Sequence, residues 1–366
     1  MTSTLVSKNM WPAMFLASML ATACAPTQGY LAPSLVQNAR TTARAAAKSA
    51  TPYLYVMDPG ARHVAIYSTI TGLVTKLIPV SNPKGLAVDH FGTVYIADAA
   101  KGDVFVYKST GPGMVRRVRK ITAASVLAIA VDGSANLFVL QGSNGVEEIA
   151  EYPAGKNVPS RLINKGLYEV TAIATDTQGN VYAANFPSSV FVYKPGALSP
   201  NRTITNGIAD PVALAVDSSG NLFVANNDGA AATVTEYAPG RTSPKTIRRG
   251  VSQPQTIAVN ASGDLYLADY VSNGVAKAKI IVYAPGARSP MLTIPGSGCI
   301  NSSGCHTLSL AFDPAGNLYV PHIETNKDGG DLRGSVSVFK PGQTTELKRI
   351  TASMDTPSQI AVVPGN

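Results

Sequence analysis

Residues 213–247 read ALAVDSSGNLFVANNDGAAATVTEYAPGRTSPKTI, and this stretch decides the fold. Ala213 to Val216 is a short apolar run typical of a buried strand, and Asn221 to Asn226 predicts a second strand that alternates, with Leu222 and Val224 on one side. The Asp-Ser-Ser-Gly segment between them predicts a tight hairpin, in which Gly adopts the left-handed conformation and the Asp carboxylate caps backbone N–H groups.

The second half of the stretch continues the same pattern. Thr233 to Ala238 predicts a third strand, and Pro239-Gly240 predicts a type II turn, because Pro presets φ and Gly supplies a positive φ. Lys245 to Ile247 then forms a short outer strand. The unit is therefore a four-stranded antiparallel sheet.

The unit recurs along the chain. Its first half returns as LAVDHFGTVYIAD (86–98), IAVDGSANLFVLQ (129–141), IATDTQGNVYAAN (173–185), IAVNASGDLYLAD (257–269) and LAFDPAGNLYVPH (310–322). Its second half returns around Tyr107, Tyr152, Tyr193, Tyr283 and Phe339. Repeats of about 40 to 50 residues with four strands each are the signature of an all-β propeller.

The two ends of the repeat region complete each other. YLYVMD (53–58), HVAIY (63–67) and TKLI (75–78) supply strands two to four of a unit, and QIAVV (359–363) supplies a lone first strand. Six whole units and one split unit predict seven blades, closed by pairing of the C-terminal strand with the N-terminal blade. We expect one propeller domain over residues 51–366.

The pattern IAVDxxGNLYVAD followed by a VxVY strand resembles the NHL-repeat propellers and, more loosely, the gluconolactonase-like and virginiamycin-lyase-like propellers. The resemblance covers essentially all of residues 51–366, and it implies the fold more than an activity, since the recurring residues belong to turns and strands. The recurring Asp residues are interpreted as hairpin caps and not as a row of catalytic carboxylates. They are Asp89, Asp132, Asp176, Asp217 and Asp313.

Composition and charge fit many short strands. The 366 residues are 45% hydrophobic and only 14% charged, against about 25% charged in typical globular proteins. The net charge is +8, and the densest basic run is Arg116, Arg117, Arg119 and Lys120. The repeat register places this run on an outer edge strand, where basic side chains block pairing between sheets. An acidic surface partner is the alternative explanation.

The N-terminal residues predict export. Residues 1–23 combine Lys8 with an apolar run over Met10 to Ala23, as a signal peptide does. Leu20-Ala21-Thr22-Ala23-Cys24 resembles a bacterial lipobox, which implies lipidation of Cys24, and Ala25 then implies the outer membrane. Simple cleavage at Ala23, giving a secreted or periplasmic protein, is the alternative. Residues 24–50 would form a flexible tether.

A lactonase-type metal centre is not supported. The resemblance to gluconolactonase-like propellers implies cation ligands just before the innermost strands. Those positions hold Lys84, Thr171, Val212, Gln255, Thr307 and Ser358, with Val126 nearby in the third blade, and none is a carboxylate. The sequence also contains no G-x-S-x-G, H-E-x-x-H or P-loop motif. We therefore expect no metal and no cofactor.

Three insertions point to one side of the propeller. The segment from the end of strand two to the aromatic of strand three has 8 or 9 residues in several blades, but 14 from Asp269 to Tyr283 and 17 from His322 to Phe339. The segment from Ile294 to Asp313 is also long. It contains Cys299 and Cys305, which we expect to form a disulfide in an exported protein. All three insertions are expected on the same face of the propeller, near blades six and seven.

Elaborated loops on a rigid scaffold commonly carry function. The candidate ligand-binding residues are Asp58, Lys84, Asp98, Asn185, Asn226, Asp269, His306, His322 and Glu324. The favoured hypothesis is a monomeric, non-catalytic binding or scaffold module for a protein, peptide or glycan of the cell envelope, with no nucleic acid partner. The alternative is a lactonase-like or lyase-like enzyme that uses Asp58, Lys84, Asp98, Asp269, His306 and His322 at the channel mouth.

Overall fold

The computed structural model describes residues 51–143, 146–273, 275–296, 305–307, 309–324 and 333–363. The predicted signal peptide, Cys24, the predicted tether and Cys299 lie outside these residues. None of the described residues forms a helix with the length and apolarity needed to cross a membrane.

The described strands are short and belong to seven sheets. Blade one contains β1 (Tyr53–Asp58), β2 (His63–Ser68) and β3 (Val74–Pro79), and blade two contains β4 (Pro83–Val88), β5 (Val94–Asp98), β6 (Asp103–Gly111) and β7 (Met114–Thr122). Blade three contains β8 (Val126–Val131), β9 (Leu137–Ser143), β10 (Val146–Tyr152) and β11 (Arg161–Ile163). Blade four contains β12 (Val170–Thr175), β13 (Val181–Asn185), β14 (Ser189–Tyr193) and β15 (Arg202–Ile204).

The remaining blades follow the same order. Blade five contains β16 (Pro211–Val216), β17 (Leu222–Asn226), a short 3-10 helix (Gly229–Ala231), β18 (Thr233–Tyr237) and β19 (Thr246–Arg248). Blade six contains β20 (Gln253–Val259), β21 (Leu265–Asn273), β22 (Val275–Tyr283) and β23 (Leu292–Ile294). Blade seven contains β24 (Cys305–His306), β25 (Ala311–Phe312), β26 (Leu318–Glu324), β27 (Arg333–Phe339) and β28 (Glu346–Ile350), and β29 (Gln359–Val363) follows it.

Pairing between the two ends of the repeat region closes the ring. The first sheet has the order β29-β1-β2-β3, and Leu54 lies opposite Val362 while Val56 lies opposite Ile360. All sheets are antiparallel, and each blade has four strands along its main path. The fold is a seven-bladed β-propeller, and the prediction that the chain ends share one blade is confirmed.

The core lies between the blades. Seven clusters of buried side chains each join two neighbouring sheets, for example blade one with blade two and blade six with blade seven. One of them packs Leu54, Val56 and Tyr67 of blade one against Tyr319 and Val336 of blade seven. The ring is therefore continuous in its packing as well as in its hydrogen bonding.

Two faces follow from this topology. The upper face carries the loops that join the second strand of a blade to its third strand, and the loops that join one blade to the next. The lower face carries the turns between first and second strands and between third and fourth strands. The basic run Arg116 to Lys120 lies on β7, the outermost strand of blade two, as predicted.

The recurring Asp residues cap the first hairpin of each blade on the lower face. Asp217 Oδ1 accepts hydrogen bonds from the N–H groups of Ser219 and Asn221 at 2.9 and 2.8 Å. Its Oδ2 accepts one from Asn221 Nδ2 at 2.7 Å. The same pattern holds at Asp132, Asp176 and Asp313, and Asp89 makes the backbone bonds. The interpretation of these residues as hairpin caps is confirmed.

Blade six exchanges the two partners of this pair. Asn260 Oδ1 caps the N–H groups of Ser262 and Asp264, and Asn260 Nδ2 donates to Asp264 Oδ2 at 2.9 Å. Five blades thus pair one amide with one carboxylate, in either order, whereas blade two has Thr93 in place of the amide.

This exchange predicts the behaviour of the blade-five hairpin. Asn221→Asp should lower the free energy of unfolding by about 2 kcal/mol, because it removes a hydrogen bond to a charged group and places two carboxylates side by side. Adding Asp217→Asn should restore most of the loss, because the pair then matches blade six. Urea unfolding at neutral pH measures both, and a double variant no more stable than the single variant would contradict the prediction.

The closing strand predicts a second stability effect. Ile360 is fully buried on β29, so Ile360→Ala should lower the free energy of unfolding by about 2 to 4 kcal/mol. Leu347 on β28 is 49% exposed, and Leu347→Ala serves as the matched control with a change within about 0.5 kcal/mol. Equal losses in the two variants, measured by urea unfolding, would show that β29 does not contribute as the pairing implies.

Candidate functional site

The upper face carries one polar residue at the same position of each blade, near the end of the second strand. The position is defined by the repeat as the last residue of the pattern that ends in Tyr-Ile-Ala-Asp in blade two. The residues are Asp58, Asp98, Gln141, Asn185, Asn226, Asp269 and His322, and all except Gln141 are buried. The structure thus brings six of the nine predicted ligand-binding residues to one end of the ring, and we call these seven positions the rim.

The three rim carboxylates bind backbone N–H groups of the protein itself. Asp98 accepts from Ser81 and Asn82 at 2.9 and 3.0 Å, in the loop that enters its own blade. Asp269 accepts from Ser252 and Gln253, both at 2.9 Å. These carboxylates hold the loops between blades in place.

Asp58 makes the same connection across the closure of the ring. It accepts from the N–H groups of Asp355 and Thr356 at 2.6 and 2.9 Å, in the loop that leads into β29. The rim carboxylates also form ion pairs, since Lys279 Nζ lies 3.2 Å from Asp269 and Lys101 Nζ lies 3.8 Å from Asp98.

The two rim asparagines supply a donor where the carboxylates supply acceptors only. Asn226 donates to the Gly207 carbonyl at 3.2 Å and accepts from the Ala209 N–H at 3.1 Å. Asn185 donates to the Gly166 carbonyl at 2.6 Å. Its Oδ1 has no hydrogen-bond partner within the described part of the chain.

His322 is the rim residue of blade seven. Its Nε2 lies 3.1 Å from Ser337 Oγ, and its Nδ1 has no partner among the described residues. Burial is the main cause that lowers the pKa of His322 from 6.5 to about 4. The positive charge of Arg349 also lowers this pKa, whereas the negative charge of Glu346 raises it. The imidazole is therefore neutral at physiological pH.

A small cavity adjoins His322. It has a volume of about 10 Å³ and is lined by Lys279, Thr307 and His322 among other residues. Thr307 Oγ1, like His322 Nδ1, has no partner in the described residues. The volume and the two polar atoms suit a single water molecule.

The remaining predicted residues lie beside the rim. The Lys84 carbonyl accepts a hydrogen bond from Gln359 Nε2 at 3.5 Å, which ties β4 to β29. His306 lies on β24 opposite Ile323, and Glu324 lies on β26 opposite Cys305. The ligand-binding role of all nine residues and the Cys299–Cys305 disulfide remain predictions.

The insertions of blades six and seven extend hairpins on the upper face. β21 and β22 have nine residues each, against five in β13 and β17, and their pairing continues beyond Asp269 to Asn273 opposite Val275. Four additional residue pairs lengthen the hairpin by about 13 Å. β26 and β27 continue beyond His322 to Glu324 opposite Arg333. The two insertions therefore extend the same end of neighbouring blades, as predicted.

Blade three carries an upper-face feature that the sequence analysis missed. β9 and β10 also continue beyond the rim, with Ser143 opposite Val146. A cavity of about 320 Å³ lies beside them and is lined by Gln141, Glu147 and Glu148 among other residues. The signal was present, because Gln141 and Tyr152 are 11 residues apart and several sister blades have 8 or 9.

The groups around this cavity are partly paired. Glu148 Oε1 accepts from Gln141 Nε2 at 2.7 Å, and Glu147 Oε2 accepts from the Val170 N–H at 3.3 Å. Among the residues that the structure describes, no group of three or more His, Cys, Asp or Glu side chains is arranged to hold a metal ion.

Comparison with known proteins supports the propeller fold and assigns no function to the rim. No family model matches the chain. No curated protein matches it either. A functionally unknown protein from Desulfotomaculum acetoxidans is similar in structure, with a TM-score of 0.68 and 15% identity over 86% of this chain and 99% of that one.

Two further solved structures share the architecture. Hydrazine synthase from Kuenenia stuttgartiensis aligns with a TM-score of 0.61 and 11% identity over 76% of this chain and 89% of that one. A chain of the mitotic checkpoint complex aligns with a TM-score of 0.58 and 15% identity over 75% and 79% of the two chains. At these identities the likeness shows the propeller fold alone.

The buried rim histidine predicts a pH-dependent stability. The folded-state pKa of His322 lies below its value of 6.5, so the unfolded state binds more protons between pH 6.5 and about 4. His322 therefore contributes stability that is complete above pH 6.5 and declines by about 3 kcal/mol as the pH falls towards 4.

Urea unfolding at several pH values tests this. His322→Asn, which introduces the rim residue of blades four and five, should flatten the pH dependence of the unfolding free energy in this range. His90→Asn replaces an exposed histidine and should leave the slope as it is. Parallel curves for the protein and for His322→Asn would contradict the assignment.

Proposed function

We propose that the chain is an exported, lipid-anchored propeller of the NHL-repeat type that acts as a binding or scaffold module of the bacterial cell envelope. Its ligand-binding region would be the upper face near blades six and seven, and its ligand a protein, a peptide or a glycan. The leader over residues 1–23 and the lipobox-like Leu20 to Cys24 support export and anchoring.

The observation that supports binding over catalysis is the use of the rim carboxylates. Asp58, Asp98 and Asp269 each accept two or more backbone N–H groups, and each is fully buried. A carboxylate held in this way fixes a loop, whereas a general base must reach a substrate proton. The rim therefore makes the upper face rigid, which lowers the entropy cost of binding a partner.

The elongated β21–β22 hairpin supports the placement near blade six. It projects from a blade whose inner strands are anchored by Asp269 and Lys279, so its base is fixed while its outer four pairs extend from the ring. Binding residues are disproportionately found on loops that a rigid scaffold positions, and the two long hairpins are such loops.

Shortening the hairpin tests the binding site. Replacing residues 270–278 by Asn-Gly leaves Asp269 opposite Lys279 and closes the hairpin with a two-residue turn. Immobilised protein should retain an envelope component from detergent-solubilised membranes, and the shortened variant should lose at least about nine-tenths of it, equivalent to about 1.4 kcal/mol.

The control is a lower-face variant that removes two exposed apolar side chains, Val158→Ser with Leu198→Ser, and it should retain the component in full. Thermal unfolding of each variant shows whether the propeller is intact. Equal retention by the shortened variant with an intact fold would move the binding site away from blade six.

The anchor is tested separately. Cells expressing the full chain should incorporate a radiolabelled fatty acid into the protein, and Cys24→Ser should abolish the label. An unlabelled mature protein that begins at Cys24 would instead establish simple cleavage at Ala23 and a secreted or periplasmic location.

A further inference from the structure

Four large apolar side chains are exposed together on the lower face of blades one and two. Ile70 and Leu73 belong to the turn between β2 and β3, and they are 70% and 65% exposed. Phe91 in the turn between β4 and β5 is 70% exposed, and Met114 at the start of β7 is 53% exposed. We call these four residues the apolar tips.

Direct contacts connect the turns that carry the apolar tips. Thr75 Oγ1 lies within hydrogen-bond distance of the Gly113 carbonyl, and Lys76 Nζ donates to the Val115 carbonyl at 2.8 Å. Both bonds join blade one to the β6–β7 hairpin of blade two. A Cβ at Gly92, next to Phe91, would meet Val363 of β29 in blade one at 3.2 Å. The tips therefore belong to one contiguous surface.

The charged side chains exposed on the segments that carry the apolar tips are basic. Lys108 and Arg116 are opposite each other on β6 and β7, and both are exposed, as is Arg117. In the described segments 68–76, 89–92 and 108–117 the sole carboxylate is Asp89, which is buried and caps its own hairpin. The basic edge of β7 thus continues into the apolar tips.

The chain enters the propeller on the same face. Thr69 Oγ1 donates to the Pro52 carbonyl at 2.7 Å, which places the start of β1 beside the turn that carries Ile70. The 52 residues up to Pro52 contain no Asp or Glu and include Arg40, Arg44 and Lys48. The segment of sequence that precedes Pro52 is therefore basic as well.

We infer that this lower face docks on an anionic lipid bilayer. Apolar side chains at loop tips enter the boundary between headgroups and acyl chains, and flanking Lys and Arg side chains attract anionic headgroups. A soluble polyanion would use the basic residues but gains nothing from Ile70, Leu73, Phe91 and Met114, which makes the bilayer the better fit. Docking in this way directs the upper face away from the membrane.

The inference does not depend on lipidation of Cys24, and its test leaves the anchor out. Every described strand and every core cluster lies between Tyr53 and Val363, so a chain that begins at Ala25 retains the complete propeller. Its co-sedimentation is measured with vesicles of phosphatidylcholine alone and with vesicles of equal parts phosphatidylcholine and phosphatidylglycerol. We expect binding to the anionic vesicles and at least about tenfold weaker binding to the neutral ones.

Two variants separate the apolar and the electrostatic contributions. Phe91→Ser with Met114→Ser should weaken binding to anionic vesicles at least about tenfold. Lys108→Gln with Arg116→Gln should weaken it about 25-fold, at about fivefold for each basic residue. The matched control is Val158→Ser with Leu198→Ser, which removes exposed apolar residues from the lower face of blades three and four and should bind as the parent does.

The results of these experiments distinguish docking on a bilayer from binding of a soluble polyanion. Loss of binding in both test variants, with an intact control and unchanged thermal unfolding, supports the bilayer. Binding that the charge variant loses but the tip variant keeps would assign the face to a soluble polyanion and overturn the proposal. No sedimentation of the parent chain with anionic vesicles would overturn it as well, and neither result bears on fatty-acid labelling of Cys24.

Discussion

Pairing of β29 with β1 is the constraint on which the rest of the structure depends. A propeller blade packs its two sides against its two neighbours, so an open ring would leave two blades with an unpacked side and one sheet with an unpaired edge. Three kinds of contact close the ring here. The strands pair, the side chains of blade seven and blade one form a joint core cluster, and Asp58 binds the loop that leads into β29. A ring closed in this way has fixed upper and lower faces.

Much of the fold could be predicted because its determinants are local. The Asp217 hairpin is specified by residues within four positions of each other, and the Pro239-Gly240 turn by four consecutive residues, with the Arg241 N–H bonded to the Ala238 carbonyl and Gly240 at a φ of 75°. Because these local signals recur along the chain, the number of blades could be counted from the sequence. The first unit lacks one strand, and the last strand of the repeat region supplies it.

The candidate site was less predictable because its contacts are not local. The repeat locates Asp98 and Asp269 at equivalent positions, but their hydrogen-bond partners precede them by 16 or 17 residues, so spacing alone does not reveal that the carboxylates hold a loop. The buried ion pair of Glu236 with Arg248 was missed for the same kind of reason. Arg248 is on an outer strand by sequence, yet its guanidinium is buried between Phe223 and Tyr283 of neighbouring blades. The packing of adjacent sheets decides this, and the alternation within one strand carries no information about it.

Closure by β29 also bears on how the molecule is made. Asp58 and Asp355 are 297 residues apart in sequence, and every other strand lies between them in chain order. Six blades must therefore be synthesised before the last contact can form, and a sheet edge stays exposed until then. Such long-range pairing is intrinsically slow. During that interval the incompletely closed polypeptide is the form that a chaperone encounters. The order of strands along the chain therefore delays formation of the native state.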